Sequence, residues 1–233
     1  MRTFLTALSL LLLAAPAGAA TRNFGVTSFE KIRVEGPFTV TLATGVAPFA
    51  RASGSQAALD RLAIDVRGDT LVVHNSLDSW SADTAKDAGP VQITLGTHDL
   101  SAAWLNGSGM LNIDRVKGLS FNLSVQGSGA AAIGQVDVDQ LNVGIAGTGG
   151  ASLAGRTAKM TAVVRGISSL DAAKLAAKDA TLGAEGSATI KADVSNSVTI
   201  DASGPATIRL DGKPACTVRA SGSASVSGCR SVQ

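Results

Sequence analysis

Asn122-Leu123-Ser124-Val125-Gln126-Gly127-Ser128-Gly129-Ala130-Ala131-Ala132-Ile133 is the stretch that decides the fold. Leu123 and Val125 alternate with Ser124 and Gln126 up to a Gly-Ser-Gly corner, and the alternation resumes beyond it at Ala131 and Ile133. A period of two with one apolar and one polar set is a half-buried strand, so the stretch reads as two strands meeting at a tight corner. The corner recurs at Gly107-Ser108-Gly109, Gly147-Thr148-Gly149, Gly166-Ile167-Ser168, Gly186-Ser187-Ala188, Gly204-Pro205-Ala206 and Gly222-Ser223-Ala224, with spacings of 18 to 20 residues. Two places before each first glycine stand Leu105, Val125, Ile145, Val164, Ala184, Ala202 and Ala220; four places after it stand Leu111, Ala131, Ala151, Leu170, Ile190, Ile208 and Val226. The third corner position holds only Gly, Ser or Ala, as expected where two inward faces converge and leave little room.

A unit of about 20 residues that turns at a fixed corner and regains its register is one coil of a solenoid. The fold class is therefore all-β: a single-stranded parallel β-helix, right-handed by the crossover preference, with seven coils over residues 100–233. At a strand spacing near 4.8 Å these make a rod of roughly 30–35 Å. Glycine at every corner and threonine at alternate positions would weaken any helical rival. Polar connectors such as Asp114-Arg115-Val116-Lys117-Gly118 separate successive repeats. Residues 21–99 also read as strands, through Ile32, Val34, Phe38, Val40 and Leu42, then Leu62, Ile64 and Val66, then Val91, Ile93 and Leu95. They lack the 20-residue register, so they are either irregular first coils or a cap. Ser76 to Pro90 reads as an exposed loop.

Residues 1–20 have the pattern of a secretory signal peptide: Arg2, an apolar run from Phe4 to Ala15, and Pro16-Ala17-Gly18-Ala19-Ala20 before polarity returns at Thr21. The apolar run falls short of the roughly 20 residues that span a bilayer, and no comparable run follows, so no integral membrane segment is expected after cleavage. Without the leader, 19 basic residues face 18 acidic ones. That balance, with 3% aromatic residues and no Tyr, argues against a nucleic-acid partner, which calls for clustered cations and stacking rings, and against a membrane barrel with its aromatic girdles. In an exported chain Cys216 and Cys229, the only two cysteines, are expected to form one disulfide that ties the last coil shut.

Phe29-Glu30-Lys31-Ile32-Arg33-Val34-Glu35-Gly36-Pro37-Phe38-Thr39-Val40-Thr41-Leu42, then Asp69-Thr70-Leu71-Val72-Val73, then Leu100 leading to Asn106-Gly107-Ser108-Gly109, resembles the bacterial secreted domain called the putative auto-transporter adhesin head, or GIN, domain. The resemblance covers most of the mature chain. It implies a parallel β-helix in the periplasm or at the cell surface and brings no catalytic residues with it. Unlike an autotransporter, the chain shows no barrel pattern after the rod.

Little in the chain points to catalysis. Gly127-Ser128-Gly129-Ala130-Ala131-Ala132 meets a loose dinucleotide fingerprint, but a strand follows where a helix would have to present its N-terminus. His74 and His98 sit beside turns, and no spacing brings a nucleophile to them. The closest acidic pair, Asp137 and Asp139, does not supply the six to eight oxygens of a calcium site, so no metal and no cofactor are expected. If the chain were an enzyme, the stacked Asp171, Lys191 and Arg209 would be its catalytic group, cations neutralising a uronate carboxylate in a polysaccharide lyase; alternating charges also serve simply to avoid like-sign stacking. A wall of small polar residues, Asn122, Gln126, Asn142, Thr161 and Thr181 with Trp104 as its aromatic, is the expected binding surface for an envelope glycan or a surface protein. The reading is an exported, non-enzymatic module of the periplasm or cell surface, with a polysaccharide-active enzyme or a self-associating structural protein as alternatives. Its oligomeric state is not legible.

Overall fold

The computed structural model describes residues 20–76 and 89–230. The leader up to Ala19, and Trp80 with most of the loop expected between Ser76 and Pro90, lie outside the described residues. The elements in chain order are β1 (Ala20–Phe24), β2 (Lys31–Glu35), β3 (Thr39–Thr44), β4 (Phe49–Gly54), α1 (Gln56–Leu59), β5 (Leu62–Arg67), β6 (Thr70–Asn75), β7 (Gln92–Thr97), β8 (Ala102–Gly107), β9 (Met110–Gly127), β10 (Ala130–Gly147), β11 (Gly150–Gly166), β12 (Ser169–Glu185), β13 (Thr189–Ser203), β14 (Thr207–Asp211), β15 (Ala215–Ser221) and β16 (Ser225–Ser227). From β8 onward every neighbouring pair is parallel and in the register of the repeat, for example Leu111 against Ala131 and Val125 against Ile145. The chain is a β-solenoid.

Each coil has three sides. The connectors, expected as loose polar links, are themselves paired: Val116, Val136 and Gly155 follow one another in register, and so do Gly118, Val138 and Thr157. The cause lies in the alternation, which skips a beat at three places per coil. In β9 the buried residues are Leu111 and Ile113, then Val116, then Phe121, Leu123 and Val125, with two exposed residues in succession at the first break and four at the second. Consecutive outward residues mark a corner, because a strand that runs straight cannot place neighbours on one face. We call the side after the glycine corner the front, the short middle side the flank, and the long side before the glycine corner the back. All three close over one continuous apolar core.

The glycine corner is the tightest of the three. Its first glycine has positive φ in all seven triplets, from 75° at Gly222 to 116° at Gly107 and Gly147. The carbonyl of Gly107 accepts from both Ser128 N–H (3.0 Å) and Gly129 N–H (2.8 Å), and the carbonyl of Gly127 accepts in the same way from Thr148 and Gly149. A Cβ built on Gly127 would stand 2.6 Å from the Gly107 oxygen. At the fourth corner a serine fits because the buried Ser168 hydroxyl lies 2.9 Å from the carbonyl oxygens of both Gly147 and Arg165, between which its one proton is shared.

Strands β1 to β7 stack in an order that differs from chain order. β2 and β3 form a coil that lies between the coil of β8 and β9 on one side and the coil of β6 and β7 on the other. After laying down β3 the chain moves outward, builds the next coil, then crosses back at residues 98–101, where Ser101 N–H donates to Glu30 O at 2.8 Å. The outer end is finished by antiparallel strands: β5 on β6 along the back, and β4 on β7 followed by β1 on β4 along the front.

The other end tapers. The flank shortens from Val136–Val138 to Val194, and Pro214 stands buried where a flank strand would begin in the next coil. The seventh corner leads only to the three residues of β16. Cys216, at the start of the back, is bonded to Cys229, just beyond the front, so the disulfide closes the last coil where no third side exists.

Ion pairs link neighbouring coils along the outside. Arg156 Nε and Nη2 donate to the two oxygens of Asp137 at 2.7 and 3.1 Å, and this hydrogen bonding, followed by the positive charge of Arg156, holds the Asp137 carboxyl below its usual range. Asp179 is lowered in the same sense by the Ser197 hydroxyl and the Asn196 amide. A carboxyl lowered in the folded state adds stability that is complete above its unfolded pKa near 4 and is lost as pH falls through the folded value.

Three outcomes are expected. Gly127→Ala should cost about 2–3 kcal/mol from positive φ and the clash with Gly107 O, against roughly 0.5 kcal/mol or less for the exposed Ser128→Ala, read from urea unfolding midpoints. The double change Cys216→Ser, Cys229→Ser removes a cross-link worth roughly 3 kcal/mol on the loop-entropy model and should open residues 210–230 to limited proteolysis; unchanged cleavage there would contradict the staple. The thermal midpoint should stay level between about pH 7 and 5 and fall below about pH 4, with a smaller fall in Asp137→Asn.

Candidate functional site

The back is the face on which chemistry-bearing side chains gather. Its central outward column runs, in register, from Asp65 through Val72, Arg33, Trp104, Ser124, Gly144 and Val163 to Gly183. Neighbours in such a column are one strand spacing apart and read as a ladder. Trp104 stands in the middle of it. On one side the Arg33 guanidinium lies over its ring at 5.6 Å from the centroid, a cation–π contact. On the other side Ser124 and Gly144 are small, and they floor a shallow trough of about 180 Å³ whose lining includes Gln126, Ala146, Val163 and Arg165.

A polar column runs beside the trough, two residues along the strands from its floor. The Asn142 side-chain amide donates to Asn122 Oδ1 at 3.0 Å, an arrangement the strand register imposes because the two stand directly opposite. Thr161 and Thr181 continue that column. On the opposite side Gln126 lies beside Asn106, whose Oδ1 is buried without a hydrogen-bond partner among the described residues. A buried acceptor left unpaired costs free energy. Thus the structure brings together Trp104, Asn122, Gln126 and Asn142, with Thr161 and Thr181 extending the row.

Toward the capped end the same face holds a larger basin of about 390 Å³, lined by Arg33, Glu35, Arg67, Thr70, Val72 and His74. His74 Nε2 lies 2.9 Å from Asp65 Oδ2, and its Nδ1 lies 2.9 Å from the Asn75 carbonyl oxygen. Both partners are acceptors, so the ring is held from both sides and meets no nucleophile in these contacts. This cluster is absent from the expected site residues. It joins β2, β5 and β6, whose pairing carries no 20-residue signal, and His74, expected beside a turn, lies within β6.

Asp171, Lys191 and Arg209 lie on the front, in adjacent coils and in register. All three are exposed, and Asp171 Oδ1 accepts from the Ala173 N–H at 3.2 Å. No ion pair links them among the described residues. His98 is exposed on the opposite edge, in a small depression with Asp99, Arg115 and Lys117. Among the described residues no group of three or more His, Cys, Asp or Glu is arranged to hold a metal ion, and no helix is long and apolar enough to cross a membrane.

Comparison with known proteins gives a family and a fold. The family model described as putative auto-transporter adhesin, head GIN domain, matches residues 28–214. Crystal structures of similar fold include a putative adhesin from Bacteroides fragilis (17% identity, TM-score 0.75, covering 90% of this chain and 96% of that one). They also include a putative adhesin from Parabacteroides merdae (14%, 0.68, 91% and 96%) and a putative lipid binding protein from Parabacteroides distasonis (18%, 0.66, 91% and 98%). No curated protein matches the chain.

Proposed function

The chain belongs to the putative auto-transporter adhesin head GIN domain family, and we propose that it is a non-enzymatic adhesin-type module, exported to the periplasm or cell surface, that holds an envelope glycan against the back of its solenoid. One observation carries this reading: Trp104 stands one strand spacing from Ser124, the first small residue of the trough floor, with the Asn122–Asn142 amide pair in the neighbouring outward column and Gln126 in the trough lining. A sugar ring offers an apolar face to an aromatic ring and hydroxyls at its edge to amides, and Trp104 with Asn122, Asn142 and Gln126 supplies both kinds of contact. The parallel stack supports the site mechanically, since each of these residues is fixed by strand register rather than by a loop. Continuation of the polar column as Thr161 and Thr181 suits an extended polymer more than a single small molecule.

A polysaccharide-active enzyme using Asp171, Lys191 and Arg209 is the second reading, favoured by their adjacency in register on the front. Turnover of a uronate polymer that disappears in Lys191→Ala would establish it.

A glycan array probed with the purified exported protein tests the first reading. Binding without turnover is expected, with Trp104→Ala weakening it by about tenfold or more, the range expected for a central aromatic contact. Binding unaffected by Trp104→Ala and Asn142→Ala, or confined to variants of the front, would overturn it.

A further inference from the structure

The basin beyond Trp104 has a charge pattern that says more about the ligand. Arg33 and Arg67 both line it, and neither guanidinium has a hydrogen-bond partner among the described residues. Their nearest carboxylates, Glu35 and Asp65, are at 4.0 Å, beyond hydrogen-bond reach. Arg67 is well exposed, with 69% of its side chain accessible. The acidic side is weaker than it looks, because Asp65 Oδ2 is already engaged by His74 at 2.9 Å. What faces the basin is therefore two planar forks whose N–H groups make no hydrogen bond, each held only in a loose ion pair at 4.0 Å, Arg33 with Glu35 and Arg67 with Asp65.

The floor is apolar. Val72 points outward from the sheet, between Arg33 and Asp65 in register, yet it is only 7% exposed. Thr70 lies beside it along β6 with a hydroxyl that donates to Asp69 at 3.1 Å. Apolar floor, cationic rim and an aromatic ring at one end form one continuous path, because Arg33 belongs to both the basin and the Trp104 stack. Planar guanidinium forks match a carboxylate in two parallel hydrogen bonds, which a point-charge lysine does not reproduce.

We propose that this basin is a carboxylate subsite, in which Arg33 and Arg67 take the acidic group of a uronic-acid residue while the neighbouring sugar lies against Trp104, so that the ligand is an acidic polysaccharide. This rests on the glycan-binding reading above and narrows it. Glu35 acts as the gate on Arg33: a ligand carboxylate replaces a partner held at 4.0 Å with one at hydrogen-bond distance. An ester or neutral sugar offers no such exchange.

The test uses the full exported protein and three probes: polygalacturonate, the same polymer fully methyl-esterified, and poly-L-glutamate, titrated calorimetrically at fixed ionic strength. Polygalacturonate is expected to bind about tenfold tighter than its ester, in keeping with a charge-assisted fork. Arg67→Gln should erase that difference while leaving ester binding intact, and Trp104→Ala should weaken both polymers. Equal affinity for acid and ester, no binding of polygalacturonate, or an Arg67→Gln variant that still prefers the acid would overturn the carboxylate subsite. In each of those cases ester or array binding lost in Trp104→Ala would leave the glycan-binding reading standing. Poly-L-glutamate binding as tight as polygalacturonate, and equally lost in Arg67→Gln, would overturn the proposal in favour of an acidic protein partner.

Discussion

Close approach of backbone to backbone at the glycine corner is the constraint on which the rest of the structure depends. One carbonyl, that of Gly107 or Gly127, accepts two N–H groups of the coil above, and a methyl group on the next glycine would occupy the space those bonds need. Because the first corner residue is a glycine in every repeat, successive coils superpose at strand spacing, and every inward position falls above its counterpart. The core then assembles itself as columns: Leu123 on Val143, Val125 on Ile145, Leu111 on Ala131. At the third corner position, glycine in the first three repeats, the buried Ser168 hydroxyl finds carbonyl acceptors, and Ala188 and Ala206 are buried in its place in later coils.

Superposition of the inside leaves the outside free. No outward residue is required for closure, so the three faces differ in what they carry while sharing one geometry. The front is small and flat around Ala130, Ala132, Gly150 and Ser152 and bears the charge ladder farther on. The back carries the aromatic ring, the amide ladder and two guanidinium groups held only in loose ion pairs. Function in such a rod is a matter of which side chains stand one strand spacing apart, and binding by a stiff lattice loses little conformational freedom.

A solenoid must also end, since an exposed terminal coil offers unpaired backbone for edge-to-edge addition. The two ends solve this differently. At the first, the chain reverses its stacking order and finishes with antiparallel β1, β4 and β5. At the second, the flank shrinks and the Cys216–Cys229 bridge replaces it. The outward-growing first coils also place β2 next to Trp104, with β6 and β5 following it in the sheet, so the device that caps the rod is the same one that builds the basin.

The repeat itself was legible without coordinates. Period-two alternation and a corner every 18 to 20 residues specify parallel coils in register, and register alone aligns Asn122 with Asn142 and Asp171 with Lys191, because residues at equivalent places in successive coils must be neighbours. The cysteine pair was legible too, two thiols flanking one coil. The flank was not: Val116 sits among Asp114, Arg115, Lys117 and Gly118, and one apolar residue in a polar run gives no periodicity to read. Nor was the basin, since Arg33, Arg67, His74 and Trp104 come from three strands and a later coil with no shared spacing. Sequence by itself determined the coil, because its constraint is local and repeated; only the tertiary structure decided which early strand lies beside which, because a single long-range pairing is chosen by how the whole end of the rod packs.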